Sequence, residues 1–354
     1  MSRFLNEAYR NLEAYVPGEQ PRDMVYVKLN TNESPYPPAP SVLDAVNRAE
    51  VEKLRLYSDP ECTVLREKLA ALYQVEKGNV YLANGSDDIL NFAFMAFCDK
   101  THGAYFPEIS YGFYQVFADL HGIPATRIPL CEDFSIDHKE YCGCDGMIVI
   151  ANPNAPTGMT LSLAQIEEIL QSNPDQVVLI DEAYVDFGGE SCVPLTKRYP
   201  NLLVVQTFSK SRSMAGARLG FAIADASLIA DLELIKYSTN PYNINRLTQI
   251  AGAATVDAEE YTRACCREIM ETRAYTTEEL QKLGFRVLPS CANFIFAESD
   301  RVEGGELYRQ LKARGILVRH FDKPRISNFN RITIGTRSDM DAFLKAVREI
   351  IGEN

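Results

Sequence analysis

Three short apolar runs, each ending in a loop dense with polar side chains, limit the folds open to this chain. They are Met147 to Ala151, Val177 to Ile180 and Leu202 to Val205, rich in β-branched residues, the second bounded by Asn173-Pro174. Such runs read as strands buried on both faces, the pattern of a parallel sheet covered by helices. In sheets of that kind ligands bind in the loops beyond the C-terminal strand ends. Here those loops carry Asn152-Pro153-Asn154-Ala155-Pro156-Thr157-Gly158, then Asp181-Glu182-Ala183-Tyr184, then Thr207-Phe208-Ser209-Lys210. An amide-rich turn, a carboxylate with a phenol, and a lysine are therefore expected along one sheet edge. The third loop continues through Gly216-Ala217-Arg218 into a further run, Leu219 to Ala224, so Lys210 lies on a connection between two strands. A lysine beside small hydroxyls, followed by a glycine-bracketed arginine, suits a ligand with both an aldehyde and a phosphate. Taken alone, the same stretch reads equally as a solvated basic loop.

The three loops together decide between those readings. N-P-N-A-P-T-G, D-E-A-Y and S-K-x-x-x-x-A-G-x-R-x-G, in this order and spacing, resemble the signature of the fold type I, class I/II aminotransferases that depend on pyridoxal 5'-phosphate, and further matches run from Tyr15 to Thr336. The resemblance implies an α/β fold with a large, mostly parallel-sheet domain that binds the cofactor and a smaller α+β domain. It implies that residues 1–30 form an arm joining the smaller domain, 31–246 the large domain, and 247–354 the small one. More narrowly the chain is similar to the branch of the family that acts on histidinol phosphate. That similarity implies ping-pong amino transfer between L-histidinol phosphate and 2-oxoglutarate in histidine biosynthesis, on a homodimer with shared active sites. Transamination of aromatic amino acids and decarboxylation of threonine phosphate are the alternatives on the same scaffold.

The resemblance also assigns expected roles. Lys210 would tether the cofactor and then move a proton at the substrate's Cα. Asp181 would stand beside the pyridine nitrogen and keep it protonated, and Tyr184 would hold the ring's phenolic oxygen. Gly85, Ser86 and Asp87, opening a helix after the strand Val80 to Ala83, would form a phosphate cradle with Ser209 and Arg218, and Tyr57 would reach it from the neighbouring subunit. Tyr111 is expected to stack on the ring, with Phe113 and Tyr114 in the core. Family members commonly have asparagine just before P-T-G; this chain has Ala155, so either Asn154 compensates or Tyr184 acts alone. Tyr15, Asn32, Tyr242, Arg319 and Arg331 are the expected substrate contacts, the two arginines for carboxylate and phosphate.

Composition excludes several other classes. With a formal net charge of −12 over 354 residues, neither nucleic acid nor an anionic membrane is an expected partner. There is no apolar run of about twenty residues to span a bilayer, and the start of the chain lacks the apolar core of a secretion signal. A cytoplasmic protein with nine reduced cysteines is expected. Cys131, His138, Cys142 and Cys144 cluster, but C-x-C is tighter than a zinc pair and no second knuckle follows, so no metal is expected. Helices are expected near residues 42–54, 89–97, 227–237, 247–283 and 305–314, with a short amphipathic segment built on Phe4, Leu5, Ala8 and Leu12.

Overall fold

The computed structural model describes residues 5–353, so Phe4 lies outside the described residues. Thirteen strands occur among them. β1 is Val27–Lys28, β2 Val80–Ala83, β3 Ala104–Pro107, β4 Ala125–Ile128, β5 Met147–Ala151, β6 Val178–Asp181, β7 Leu202–Thr207 and β8 Gly220–Ala224. β9 is Arg286–Val287, β10 Phe294–Glu298, β11 Ile316–Leu317, β12 Arg319–His320 and β13 Asn330–Thr333. The large sheet has the order β2-β8-β7-β6-β5-β3-β4, and only β8 runs against its neighbours.

Alternation along these strands builds two cores. Leu82, Ile148, Ile150, Ile180, Val204 and Ile223 point into one, and Tyr81, Val149, Leu179, Val205 and Ala222 into the other. Successive side chains leave a strand on opposite faces, so apolar residues at every position require cover on both sides. Helix Ser86–Phe97 covers one face, and Thr63–Tyr73 and Leu163–Ser172 the other. The second unit is the antiparallel sheet β12-β13-β10-β9, whose Ile295, Ala297 and Ile332 pack with Ile269, Leu280, Phe343 and Leu344 from flanking helices. β1 pairs with β11, so the N-terminal segment is stitched to this unit.

Two expected helices are divided. The stretch 42–54 breaks into Pro40–Ala45 and Arg48–Glu52, because Asn47 accepts from the amides of Ala49 (3.0 Å) and Glu50 (3.3 Å) and starts a new helix. The stretch 247–283 breaks at Ala258 into Arg246–Asp257 and Glu259–Lys282. The first of these sends Ala251 and Val256 into the large unit's core, whereas the second packs Cys266 and Ile269 into the other. We therefore propose that the division between the two units falls at Ala258 rather than at residue 247. Among the described residues no helix is long and apolar enough to cross a membrane, and no three His, Cys, Asp or Glu side chains are grouped as metal ligands. His138 instead faces Glu168 at 3.0 Å.

Candidate active site

Sheet register assembles the site. β5, β6 and β7 are parallel neighbours with Ala151 opposite Asp181 and Asp181 opposite Val205, so the loops after them leave the sheet side by side. The reversed strand β8 adds a fourth piece. Its first residue, Gly220, is opposite both Thr207 and Ala83, which sets Arg218, Ser209 and Gly85 around one corner.

At the end of β6, Asp181 is 4 % exposed and accepts from the Tyr114 hydroxyl (2.8 Å) and the Ala183 amide (3.2 Å). Burial pushes its carboxyl up to about 6, against the opposing pull of those two donors. Among the described residues no cation lies within ion-pair distance of it. A buried carboxylate so placed suits a positively charged ring nitrogen, which would supply the missing counter-charge. Its neighbour Glu182 meets other partners, Ser191 (2.7 Å) and Gln206 (2.8 Å), and burial pushes it up to about 7.

The corner beside β8 is built for an anion. Gly85 opens helix Ser86–Phe97 at φ +88°, and a Cβ there would stand 2.7 Å from Arg218 Nη2. Only glycine adopts this conformation freely and leaves the guanidinium its place. Arg218, itself at φ +56°, donates to Asp87 (2.9 Å), which also accepts from the Tyr111 hydroxyl (2.8 Å). Ser209 is buried, its hydroxyl accepting from Thr207 Oγ1 at 3.0 Å. The helix start, the arginine and the serine hydroxyl are the donor set a phosphate requires.

Next to this corner lies a cavity of about 250 Å³. Lys210, Tyr111 and Tyr184 line it from the large unit, Arg319 and Arg331 from the second sheet, and Tyr15 and Asn32 from the N-terminal segment. Lys210 Nζ donates to the Thr31 carbonyl (3.1 Å) and lies 5.8 Å from the Tyr184 ring centre. The Tyr184 hydroxyl accepts from Asn32 Nδ2 (3.0 Å). Arg319 and Arg331 are direct cross-strand partners between β12 and β13. Like charges in that relation repel. Among the described residues neither has a carboxylate partner: Arg331 donates to the Asn30 carbonyl (3.0 Å) and its buried Nε has no acceptor, and Arg319 makes long contacts to the Val16 (3.3 Å) and Pro17 (3.5 Å) carbonyls and lies 5.6 Å from the Phe321 ring centre. Burial lowers the Arg331 pKa, so the guanidinium is short of counter-charge. A ligand anion would satisfy both.

Three expected residues are not gathered. Asn154, read as a cofactor amide, is bonded to its own loop and to the segment after β3: Nδ2 donates to the Ile109 carbonyl (3.0 Å) and Thr157 Oγ1 (3.1 Å), and Oδ1 accepts from Ser110 (2.7 Å). Ala155, after which the peptide bond to Pro156 is cis, lines the cavity in its place. Tyr57 and Tyr242 stack on each other at 4.6 Å away from the cavity, Tyr57 being 81 % exposed. Conversely, Tyr114 and Phe113, expected in the core, do more: the first holds Asp181, and the second stacks on Tyr15 at 4.2 Å. A buried tyrosine needs a hydroxyl partner, which is the signal that would have drawn Tyr114 out.

Residues 25–347 match the family model for class I and II aminotransferases. The chain is 49 % identical over 352 residues to histidinol-phosphate aminotransferase of Brachyspira hyodysenteriae, covering 99 % of each. It is 46 % identical over 351 residues to the protein of that name from Clostridium acetobutylicum, covering 99 % of this chain and all of the other. In fold it resembles the crystal structure of histidinol-phosphate aminotransferase from Clostridium acetobutylicum (TM-score 0.85, 24 % identity, 92 % of this chain and 99 % of that one). It also resembles that from Sinorhizobium meliloti in complex with pyridoxal-5'-phosphate (TM-score 0.81, 22 % identity, 92 % of this chain and 90 % of that one).

Proposed function

From the premise that the chain belongs to the class I and II aminotransferases, and is thus an enzyme that uses pyridoxal phosphate, we propose that it exchanges amino groups between L-histidinol phosphate and 2-oxoglutarate, a step of histidine biosynthesis. The observation that carries the substrate choice is the facing pair Arg319 and Arg331, without carboxylate partners, on the cavity that also holds Lys210. Two adjacent cations suit a substrate with a phosphate in one half-reaction and a dicarboxylate in the other.

The residues present fit the cofactor. Gly85, Ser86, Asp87, Ser209 and Arg218 would hold its phosphate, Tyr111 would pack on the ring, and Asp181 would face the ring nitrogen. Tyr184 would serve the phenolic oxygen alone, since Asn154 is already bonded elsewhere. When bound, pyridoxal phosphate supplies an electron-withdrawing ring that accepts the electron pair of a bond broken at the substrate's Cα. Lys210 Nζ would hold the aldehyde end of the cofactor and, when free, would take the proton from the substrate's Cα as a general base. Asp181 would keep the ring nitrogen charged. Tyr15 and Asn32 line the cavity beside Lys210 and would face the substrate. The exposed Tyr57–Tyr242 stack supports a homodimer in which these two tyrosines serve the neighbouring subunit's site.

Adding glutamate to the holoenzyme should convert the absorbance of the bound aldehyde to that of the aminated cofactor, and 2-oxoglutarate should restore it. At equal concentrations kcat/KM should favour histidinol phosphate over phenylalanine. A preference for phenylalanine, or release of carbon dioxide from threonine phosphate, would overturn the substrate assignment.

A further inference from the structure

Between β12 and β13 the chain makes a loop whose Phe321, Lys323 and Ile326 lie on the cavity wall with Arg319 and Arg331. Glu108, from the large unit, lies on the same wall. An uncompensated carboxylate there would repel an anionic substrate, yet this one is neutralised. Arg325, two residues beyond Lys323, forms an ion pair with Glu108 and donates to the carbonyls of Leu130 (3.1 Å) and Cys131 (2.7 Å), its guanidinium 5.3 Å from the Phe134 ring centre. Arg325 sits at φ +67°, a conformation that side chains other than glycine adopt at a cost. The loop is thus clamped across the two units by the Arg325 side chain, beside the packing of Ile326 with Leu130 and Phe134. Lys323 is left differently: among the described residues its ammonium has no carboxylate partner, while its backbone amide donates to the Phe321 carbonyl (3.0 Å) and its carbonyl accepts from the Ile326 amide (3.2 Å).

We propose that Lys323 is a third cationic contact for the anionic end of the substrate, selecting phosphorylated over unphosphorylated amines, and that Arg325 is the positioning residue that holds its loop and masks Glu108. The inference rests on the reading that the substrate carries a phosphate. The three terminal oxygens of a phosphate dianion can accept more hydrogen bonds than two planar guanidinium forks supply, and a lysine on a short loop adds a rotatable point charge beside them. Clamping the loop beforehand lowers the ordering cost of binding.

The test uses holoenzyme and two amines that differ only in the phosphate, histidinol phosphate and histidinol. Lys323→Ala should lower kcat/KM for histidinol phosphate roughly tenfold, the size of one charge-assisted contact open to solvent, chiefly through KM. Turnover of histidinol should be unchanged, and Lys323→Arg should restore most of the loss. Inorganic phosphate, as a competitor of histidinol, should inhibit Lys323→Ala more weakly than wild type. Arg325→Ala, which bares Glu108, should raise KM for histidinol phosphate more than for histidinol. Equal losses on both amines would make the loop merely structural, and no loss on either would remove Lys323 from recognition; each overturns the proposal. A wild-type enzyme with no preference for the phosphorylated amine sinks the substrate reading itself, and this proposal with it.

Discussion

Asp181 and Glu182 are consecutive buried carboxyls whose affinity for protons exceeds that of the unfolded chain, Asp181 at about 6 against 3.8 and Glu182 at about 7 against 4.5. Between those limits the folded protein retains protons that the unfolded chain has released. The contribution of these two groups to the stability of the apoprotein should therefore fall as pH rises from about 4 to about 7, and level off above. Asp181→Asn should flatten the lower part of that decline in urea-unfolding midpoints; an unaltered slope would refute the assignment. The same variant should retain the cofactor yet lose roughly 10²- to 10³-fold in kcat, the scale of one electrostatic contact with developing charge. Legibility in sequence follows from how each side chain is fixed. Asp181 ends β6, and Tyr184 and Lys210 lie three residues beyond the ends of β6 and β7, so the strands go far to set where they stand. Asn154 sits within a turn, where side-chain direction depends on which neighbours accept its hydrogen bonds, and spacing carries no such information.

The element that matters most is the helix start at Gly85 against the reversed strand β8. Gly85→Ala forces a Cβ toward Arg218 and a side chain into φ +88°. A loss of about 1–3 kcal/mol in stability is expected from the backbone alone. Cofactor titration followed by absorbance should show affinity weakened about tenfold or more, because the displaced guanidinium is a charged phosphate donor. A variant that unfolds more readily but binds as before would assign the glycine to folding only. The strands themselves were readable because burial on both faces leaves unbroken apolar runs. The helix boundaries at Asn47 and Ala258 were not. Each continues an apolar pattern across a break that a cap or a change of packing partner imposes, and periodicity is silent about both.

At the scale of the molecule, the Tyr57–Tyr242 stack stands outside the cavity with the apolar Leu54 and Leu56, each 50 % exposed, close by in sequence. Sedimentation should give a mass of two 39.7 kDa chains. Mixing Lys210→Ala and Tyr57→Ala protomers should then recover activity above either parent, since one of the two sites in a mixed pair keeps both intact. A monomer with full activity would leave the tyrosine pair without that role. The family resemblance was legible over nearly the whole chain and singled out Tyr57, whereas its stacking on Tyr242, far off in sequence, could be seen only in the fold.

The Lys210 amine rests on the carbonyl of Thr31, and the adjoining Asn32 is sewn to the second sheet through Thr333, whose hydroxyl donates to Asn32 Oδ1 (2.8 Å) and accepts from its amide (3.0 Å). The strand that presents Arg331 therefore also carries the seat of the reactive nitrogen. The recognition end and the reacting end of the cavity thus share one hydrogen-bonded stretch of backbone, running from Arg331 through Thr333, Asn32 and Thr31 to Lys210.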